Sequence, residues 1–196
     1  MIVRCATKNP GKLREFRLAG EHAQIAVEPL DNLGEIAAPH ETGHTFEENA
    51  IQKALYYGAH TPDWLFADDS GLEVDALGGA PGVISSRYAG TDGDNEANNA
   101  LLLERLRGVD ERGAQFVCVI ALARAGKLER TFRGVVRGRI IDTPRGRHGF
   151  GYDPLFFYEP FGYTFGEAAD TSKMLVSHRA RALSQMFSWL AGRAAT

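Results

Sequence analysis

Apolar and polar positions follow periods that change from segment to segment along this chain, and each change marks an element. Ile2-Val3-Arg4-Cys5-Ala6 reads as a strand, followed by a helix over about 11–19 and a second strand over about 24–28. Thr45 and Glu48 form a capping box, and the helix they open runs to about Gly58. Phe46, Ala50, Ile51, Ala54 and Leu55 make its apolar stripe, which leaves Lys53 on the other side. The apolar run Trp64-Leu65-Phe66-Ala67 reads as a buried strand ending in a tight turn at Asp68-Asp69-Ser70-Gly71. A helix over about Asp94 to Arg107 stops at Gly108. Phe116 to Ala123 is apolar on both faces, the signature of a central strand, and Arg124-Ala125-Gly126-Lys127 turns it into a more polar strand over about Leu128 to Arg137. Leu183, Met186, Phe187 and Leu190 recur at i, i+3, i+4 and i+7, so a C-terminal helix is expected from the region of Ser172 to Arg179 as far as about Gly192. Helices interspersed with hairpins predict an α/β fold on a mixed sheet, in contrast to a repeating βαβ array.

Composition narrows the class. The chain has 196 residues and is 44% hydrophobic, enough for a single domain over 1–196, with or without a lobe. A net charge of −3 argues against a general nucleic-acid binder, whose surface would be basic. Cys5 and Cys118 each sit in an apolar, strand-like run, so two buried thiols are expected and no disulfide. No apolar run is long enough to span a bilayer, and Met1 to Ala6 leads straight into a charged loop with no signal-peptide pattern. The expectation is a cytoplasmic protein without a membrane or nucleic-acid partner.

Four segments carry candidate chemistry. Asp68-Asp69-Ser70 sets two carboxylates side by side, an arrangement that suits a divalent metal and an activated water. A turn in which the carboxylates bond their own backbone accounts for the same residues equally well. Thr7-Lys8-Asn9-Pro10-Gly11-Lys12 joins a strand to a helix, where the free amides of a helix N-terminus with two lysines make a corner for phosphate, although read alone the segment fits an ordinary turn better. It is not a Walker A loop, since the G-x-x-x-x-G-K-[ST] spacing is absent. Lys173 and Arg179 crowd the start of the C-terminal helix with Ser177 and His178, where cations oppose the dipole unless an anion joins them. The glycine-rich loop Gly146-Arg147-His148-Gly149-Phe150-Gly151-Tyr152-Asp153-Pro154 could stack a ring on a flat base and accept its N–H groups, or could be a tight connection whose aromatics enter the core.

Taken in order, these segments resemble the inosine triphosphate pyrophosphatase family, whose bacterial members are Ham1-like proteins. The resemblance spans almost the whole chain: Ala6-Thr7 with Asn9 and Gly11-Lys12, Glu41-Thr42-Gly43, Thr45-Phe46, Glu48-Asn49-Ala50, Lys53-Ala54, Ala67 to Leu72, Gly78 to Val83, Ser86-Arg87-Tyr88, Gly149 to Pro154, Lys173 and Ser177-His178-Arg179. It implies an elongated mixed β-sheet with flanking helices and two lobes around a central active-site cleft, usually as a homodimer. It also implies hydrolysis of ITP, dITP and XTP to the monophosphate and pyrophosphate with magnesium.

On that resemblance Asp69 is the catalytic base, and Asp69 with Glu41 holds the metal. Lys12, Lys53, Lys173 and Arg179 counter the triphosphate. Thr7, Asn9 and Ser70 donate to phosphate or sugar, with Lys8, Pro10 and Gly11 in the same substrate-binding corner. Phe150 stacks on the base within the Gly151-Tyr152 loop, and Asp153, His178 and Arg179 read its edge. Hypoxanthine and xanthine carry a C6 carbonyl and an N1–H that a donor and a carboxylate can match and adenine cannot. Two departures stand out. His40-Glu41 replaces a pair of acids in many bacterial members, which leaves open which of the two positions is the metal ligand, and Lys8 stands where some members have glycine. A different metal-dependent phosphohydrolase, a noncatalytic nucleotide sensor and an RNA-binding protein are the rival readings of the same residues.

Overall fold

The computed structural model describes residues 1–194. Its elements are β1 (Ile2–Cys5), α1 (Pro10–Ala23), β2 (Ala26–Pro29), α2 (Phe46–Gly58), β3 (Trp64–Val74), α3 (Asn95–Arg105), β4 (Gly113–Arg124), β5 (Lys127–Ile140), β6 (Phe156–Tyr158), β7 (Tyr163–Thr164), α4 (Asp170–Lys173) and α5 (His178–Ala194). The strands form one seven-stranded sheet in the order β2-β1-β3-β4-β5-β6-β7. β1 runs parallel to β2 and β3, which requires crossover connections, and α1 supplies the first of them. β5, β6 and β7 pair antiparallel, so the sheet is mixed as the alternation of helices and hairpins predicts. Ala125 and Gly126 both take positive φ (49° and 72°) in the two-residue link between β4 and β5, the backbone hand that a tight hairpin needs.

The chain forms two compact units. The first comprises residues 1–69, 118–134 and the segment from 178; the second comprises 70–117 and 135–177. In the first, α1 packs on α5 and β2, and Phe16 meets Phe66 edge-on at 4.9 Å between ring centres. In the second, Leu72, Leu102, Leu106, Phe116, Phe156 and Phe165 form a buried cluster with α3 against it. Cys5 and Cys118 are both buried and free, as expected. Among the described residues no helix is long and apolar enough to cross a membrane.

Several elements differ from the sequence expectation. α1 is a turn longer at its C-terminal end, running to Ala23 before Gln24 closes it in the left-handed conformation at φ 57°. The expected turn at Asp68-Asp69-Ser70-Gly71 is the middle of β3, which continues through Leu72 to Val74. Pairing along β3, between β1 and β4 in the sheet, overrides the turn preference of Asp, Ser and Gly. The C-terminal helix is divided: Lys173 ends α4, and α5 starts afresh at His178. Lys173 therefore sits in the last turn of a helix, where a cation is favoured, and only Arg179 stands at a helix start. Lys53 is on the inner face of α2 with Phe46, Asn49, Ala50, Ala54 and Tyr57, since its side chain is only 12% exposed.

Candidate active site

Successive residues of a strand face opposite sides of the sheet, so Asp68 and Asp69 serve different neighbours. Asp68 meets α1 and α5. Lys12 Nζ lies 3.1 Å from its Oδ1 and 2.9 Å from its Oδ2, and Arg179 Nε lies 3.7 Å from Oδ2. Arg179 also donates through Nη1 to Glu15, one turn of α1 beyond Lys12. Burial would raise the Asp68 carboxyl, but Lys12, Arg179 and Lys53 outweigh it and hold the group down at about 2. The same burial disfavours the Arg179 charge, and Glu15 and Asp68 overcome it, so the guanidinium is held more firmly protonated than usual.

Asp69 meets α2. Lys53 Nζ lies 2.8 Å from Asp69 Oδ1 and 3.2 Å from Glu41 Oε1, while Asn49 Nδ2 donates to Asp69 Oδ2 at 3.2 Å. Asn49 and Lys53 are one turn apart on the same helix face. Here the balance reverses: burial raises the Asp69 carboxyl and Glu41 adds to the effect, more than Lys53 and Lys12 take away. Burial also opposes the Lys53 charge, but Asp69, Asp68 and Glu41 together raise its pKa. Two carboxylates thus converge on one cationic nitrogen. Among the described residues no group of three or more Asp, Glu, His or Cys forms a metal cage. Two carboxylate ligands, with the remaining positions left to water and phosphate, fit magnesium better than they fit a metal that wants a full set of protein ligands. In the His40-Glu41 pair, Glu41 engages Lys53, the cation that Asp69 also holds, and the His40 carbonyl is taken by Gln52.

The corner from Thr7 to Lys12 folds as a capped helix start. Asn9 Oδ1 accepts the Lys12 N–H at 3.1 Å, Thr7 Oγ1 accepts the Asn9 N–H at 3.2 Å, and Pro10 opens α1 ahead of Gly11. No acidic residue lies in the first turn of α1 itself, and the anion that already engages this corner is Asp68, through Lys12. Lys8 points elsewhere, donating to the Ile36 carbonyl at 3.2 Å from an exposed position.

The remaining candidates fall in the second unit, apart from His178, which is buried at the first position of α5. Asp153 and Lys173 pair at 2.6 Å, and each is 2% exposed. Asp153 Oδ2 also accepts the Phe150 N–H at 2.9 Å, and Lys173 Nζ stands 5.2 Å from the Phe150 ring centre. The acid expected to read the base and the lysine expected to hold phosphate are therefore partners. Tyr152 belongs to the core, with its hydroxyl donating to the Ser85 carbonyl at 2.8 Å, and burial raises its pKa. The Gly151 carbonyl accepts from Asn99 Nδ2 at 3.1 Å. Ser70 follows Asp69 along β3 and is partly buried.

Sequence reasoning gave no role to Glu15, Gln52 and Asn99, and had Asn49 only as part of the Glu48-Asn49-Ala50 motif. Helical spacing from the lysines it did select would have found two of them: Glu15 is three residues after Lys12, and Asn49 is four before Lys53.

Comparison with known proteins agrees over nearly the full length. The Ham1 family profile matches residues 3–189. The chain is 47% identical over 201 aligned residues to the dITP/XTP pyrophosphatase of Syntrophobacter fumaroxidans, covering 99% of this chain and 87% of that protein. It is 43% identical to the dITP/XTP pyrophosphatase of Bacillus subtilis, covering 92% of each. Among solved structures, the Staphylococcus aureus Ham1 protein superimposes with a TM-score of 0.87 at 37% identity, covering 98% of this chain and 100% of that one. The nucleoside-triphosphatase (dITP/XTP pyrophosphatase) of Mycobacterium abscessus gives 0.74 at 40% identity, covering 95% and 97%.

Proposed function

The chain belongs to the Ham1 family, and from that premise we propose that it hydrolyses deaminated purine nucleoside triphosphates, dITP, ITP and XTP, to the monophosphate and pyrophosphate. The observation that carries the reading is Asp69, a buried carboxylate with a raised pKa beside Lys53 and Glu41. A carboxylate pushed up by burial is a better proton acceptor than an ordinary one. Asp69 takes the proton of the water that attacks the α-phosphorus, and pyrophosphate leaves. The triphosphate brings about four negative charges, which Lys12, Lys53 and the positive dipole end of α1 offset. Glu41 and Asp69 are the oxygens that would hold magnesium, which would neutralise phosphate charge and polarise the reacting phosphoryl group.

Base selection is the role proposed for Phe150 and Asp153 in the second unit and, separately, for His178 and Arg179 in the first. For Asp153 the role is an indirect one, since its pairing with Lys173 and its grip on the Phe150 amide set the shape of the loop. Thr7, Asn9 and Ser70 are the hydroxyl and amide donors nearest in sequence to the charged groups. A homodimer working on the nucleotide pool of the cytoplasm belongs to the same proposal. Two free, buried thiols suit a reducing compartment, and sedimentation at micromolar concentration tests the dimer.

The experiment is release of pyrophosphate and orthophosphate from dITP, ITP, XTP, GTP and ATP, with magnesium and with chelator. Magnesium-dependent pyrophosphate from the first three, and little from GTP and ATP, is the expected result. Orthophosphate as the product, or equal rates across the panel, would overturn the assignment of reaction or of substrate respectively.

A further inference from the structure

The segment that carries Glu41 has no regular structure of its own: residues 37–43 form neither helix nor strand. Side chains of α2 hold it instead. Gln52 Nε2 donates to the His40 carbonyl at 2.7 Å, and Gln52 Oε1 accepts the Thr42 N–H at 3.3 Å, so one amide grips the backbone on both sides of Glu41. Asn49 Oδ1 accepts the next amide, Gly43 N–H, at 2.8 Å, and its Nδ2 reaches Asp69. Glu48 Oε2 then accepts His44 N–H at 2.7 Å and Thr45 N–H at 3.2 Å. Positions 48, 49, 52 and 53 are two i, i+4 pairs, so a single face over two turns of α2 holds the segment residue by residue and also presents Lys53.

The fit leaves no slack at Gly43. A Cβ there would stand 2.6 Å from Asn49 Oδ1 and 2.7 Å from Glu48 Cβ, closer than packed atoms allow. The backbone can therefore reach the helix only where there is no side chain.

We infer that Asn49 and Gln52 are positioning residues that hold the Glu41 carboxylate opposite Asp69. Asn49 is the link between the two, because one buried amide bonds the loop and Asp69 at once. A neutral amide suits that place, since an acid at position 49 would set another anion against Asp69. Without the clamp, ordering of residues 40–43 would have to be supplied by whatever Glu41 binds; with it, the carboxylate is ready in advance. The inference rests on the reading of Glu41 and Asp69 as the pair that holds a divalent cation.

Two readouts on the full chain test it: amide hydrogen exchange across residues 40–45, and binding of manganese(II) alone followed by electron paramagnetic resonance. Asn49→Ala and Gln52→Ala should each speed exchange at Thr42 and Gly43 about 10-fold or more and weaken manganese binding about 10–100-fold, the usual effect of removing a ligand's support. Gly43→Ala should act in the same direction by pushing the segment off the helix. Gln52→Glu keeps the acceptor for Thr42 N–H and loses the donor to His40, so it should fall between wild type and Gln52→Ala. Gln52 is only partly buried, and its variants keep the test alive if Asn49→Ala fails to fold. Unchanged exchange in these variants overturns the positioning role. Faster exchange with wild-type manganese affinity overturns it too, provided Glu41→Gln does weaken that binding. If Glu41→Gln leaves manganese binding untouched, the metal reading itself has failed, and the exchange data alone decide whether Asn49 and Gln52 fix the segment.

Discussion

Replacing Arg179 with methionine would leave Glu15 and Asp68 sharing one cation where they now share two. Arg179 is 2% exposed, bonds Glu15 and stands 3.7 Å from Asp68, while Lys12 holds both oxygens of Asp68. Two cations and two carboxylates balance, and methionine removes one positive charge with little change of volume. Breaking a buried pair from one side costs roughly 3–5 kcal/mol, because the abandoned charge stays desolvated. For a chain of this size that lowers the Tm by roughly 6–20 °C.

The pH dependence supplies a second check on Arg179. Folded Asp68 titrates at about 2 against an ordinary 3.8, a depression that contributes about 2 kcal/mol of stability above pH ~4 and is lost as pH falls toward 2. Without Arg179 the carboxyl rises, so the variant is weakest relative to wild type near neutrality, and the gap closes on acidification as both proteins protonate Asp68. Urea denaturation followed by circular dichroism between pH 3 and 8 measures both quantities. A loss below about 1 kcal/mol at pH 7, or a gap that widens in acid, would refute the buried-network account. A sharp rise in nucleotide KM with intact stability would leave Arg179 its proposed base-reading role and remove the structural one.

Asp69→Asn should cut turnover by about 10²–10⁴-fold while nucleotide binding persists; near-normal single-turnover rates would remove Asp69 from its role. Asp153→Ala and Lys173→Met each strand a buried charge and should cost roughly 3–5 kcal/mol, whereas the double variant should cost clearly less than their sum, and additive losses would contradict the pairing. Asp153→Ala should also flatten the preference for ITP over ATP, and an unchanged ratio would count against that loop as the base reader. Iodoacetamide at pH 8 should label neither cysteine in the native protein and both in urea, because burial pushes Cys5 up to about 12 and Cys118 higher still, leaving almost no thiolate; fast native labelling would show that the thiols are reachable.

The parts of the fold that were legible in the sequence are those that local chemistry determines. Thr45 and Glu48 form the expected capping box at the start of α2, and the doubly apolar run within β4 is a central strand. What failed was reasoning that needed a partner from elsewhere in the chain. Asp68 to Gly71 has the composition of a turn, and only pairing with neighbouring strands keeps it extended. Lys53 was placed outside because an apolar stripe counts only apolar residues, whereas this helix face also carries Asn49 and Lys53, whose partner Asp69 is distant in sequence. The break between α4 and α5 was invisible because the apolar period that identified the helix begins only after it.

The extended backbone at Asp68 and Asp69 is what allows two adjacent acids to differ in kind. In a turn both would share one environment, and their mutual repulsion would be the main influence on each. In a strand they face opposite ways, and the number of cations on each side sets the outcome. Asp68 has Lys12 and Arg179 against the competing Glu15, and is held too acidic to take a proton near neutral pH. Asp69 has Lys53 as its near partner and shares it with Glu41, so burial prevails and the carboxyl rises. The proposed division of labour, with Asp69 as the base and Asp68 as the anchor for α1 and α5, rests on this difference in nearby cations. Lys53→Met, which removes the near cation of Asp69, should raise that carboxyl further and widen the difference between the two acids, whereas Arg179→Met should let Asp68 rise and narrow it.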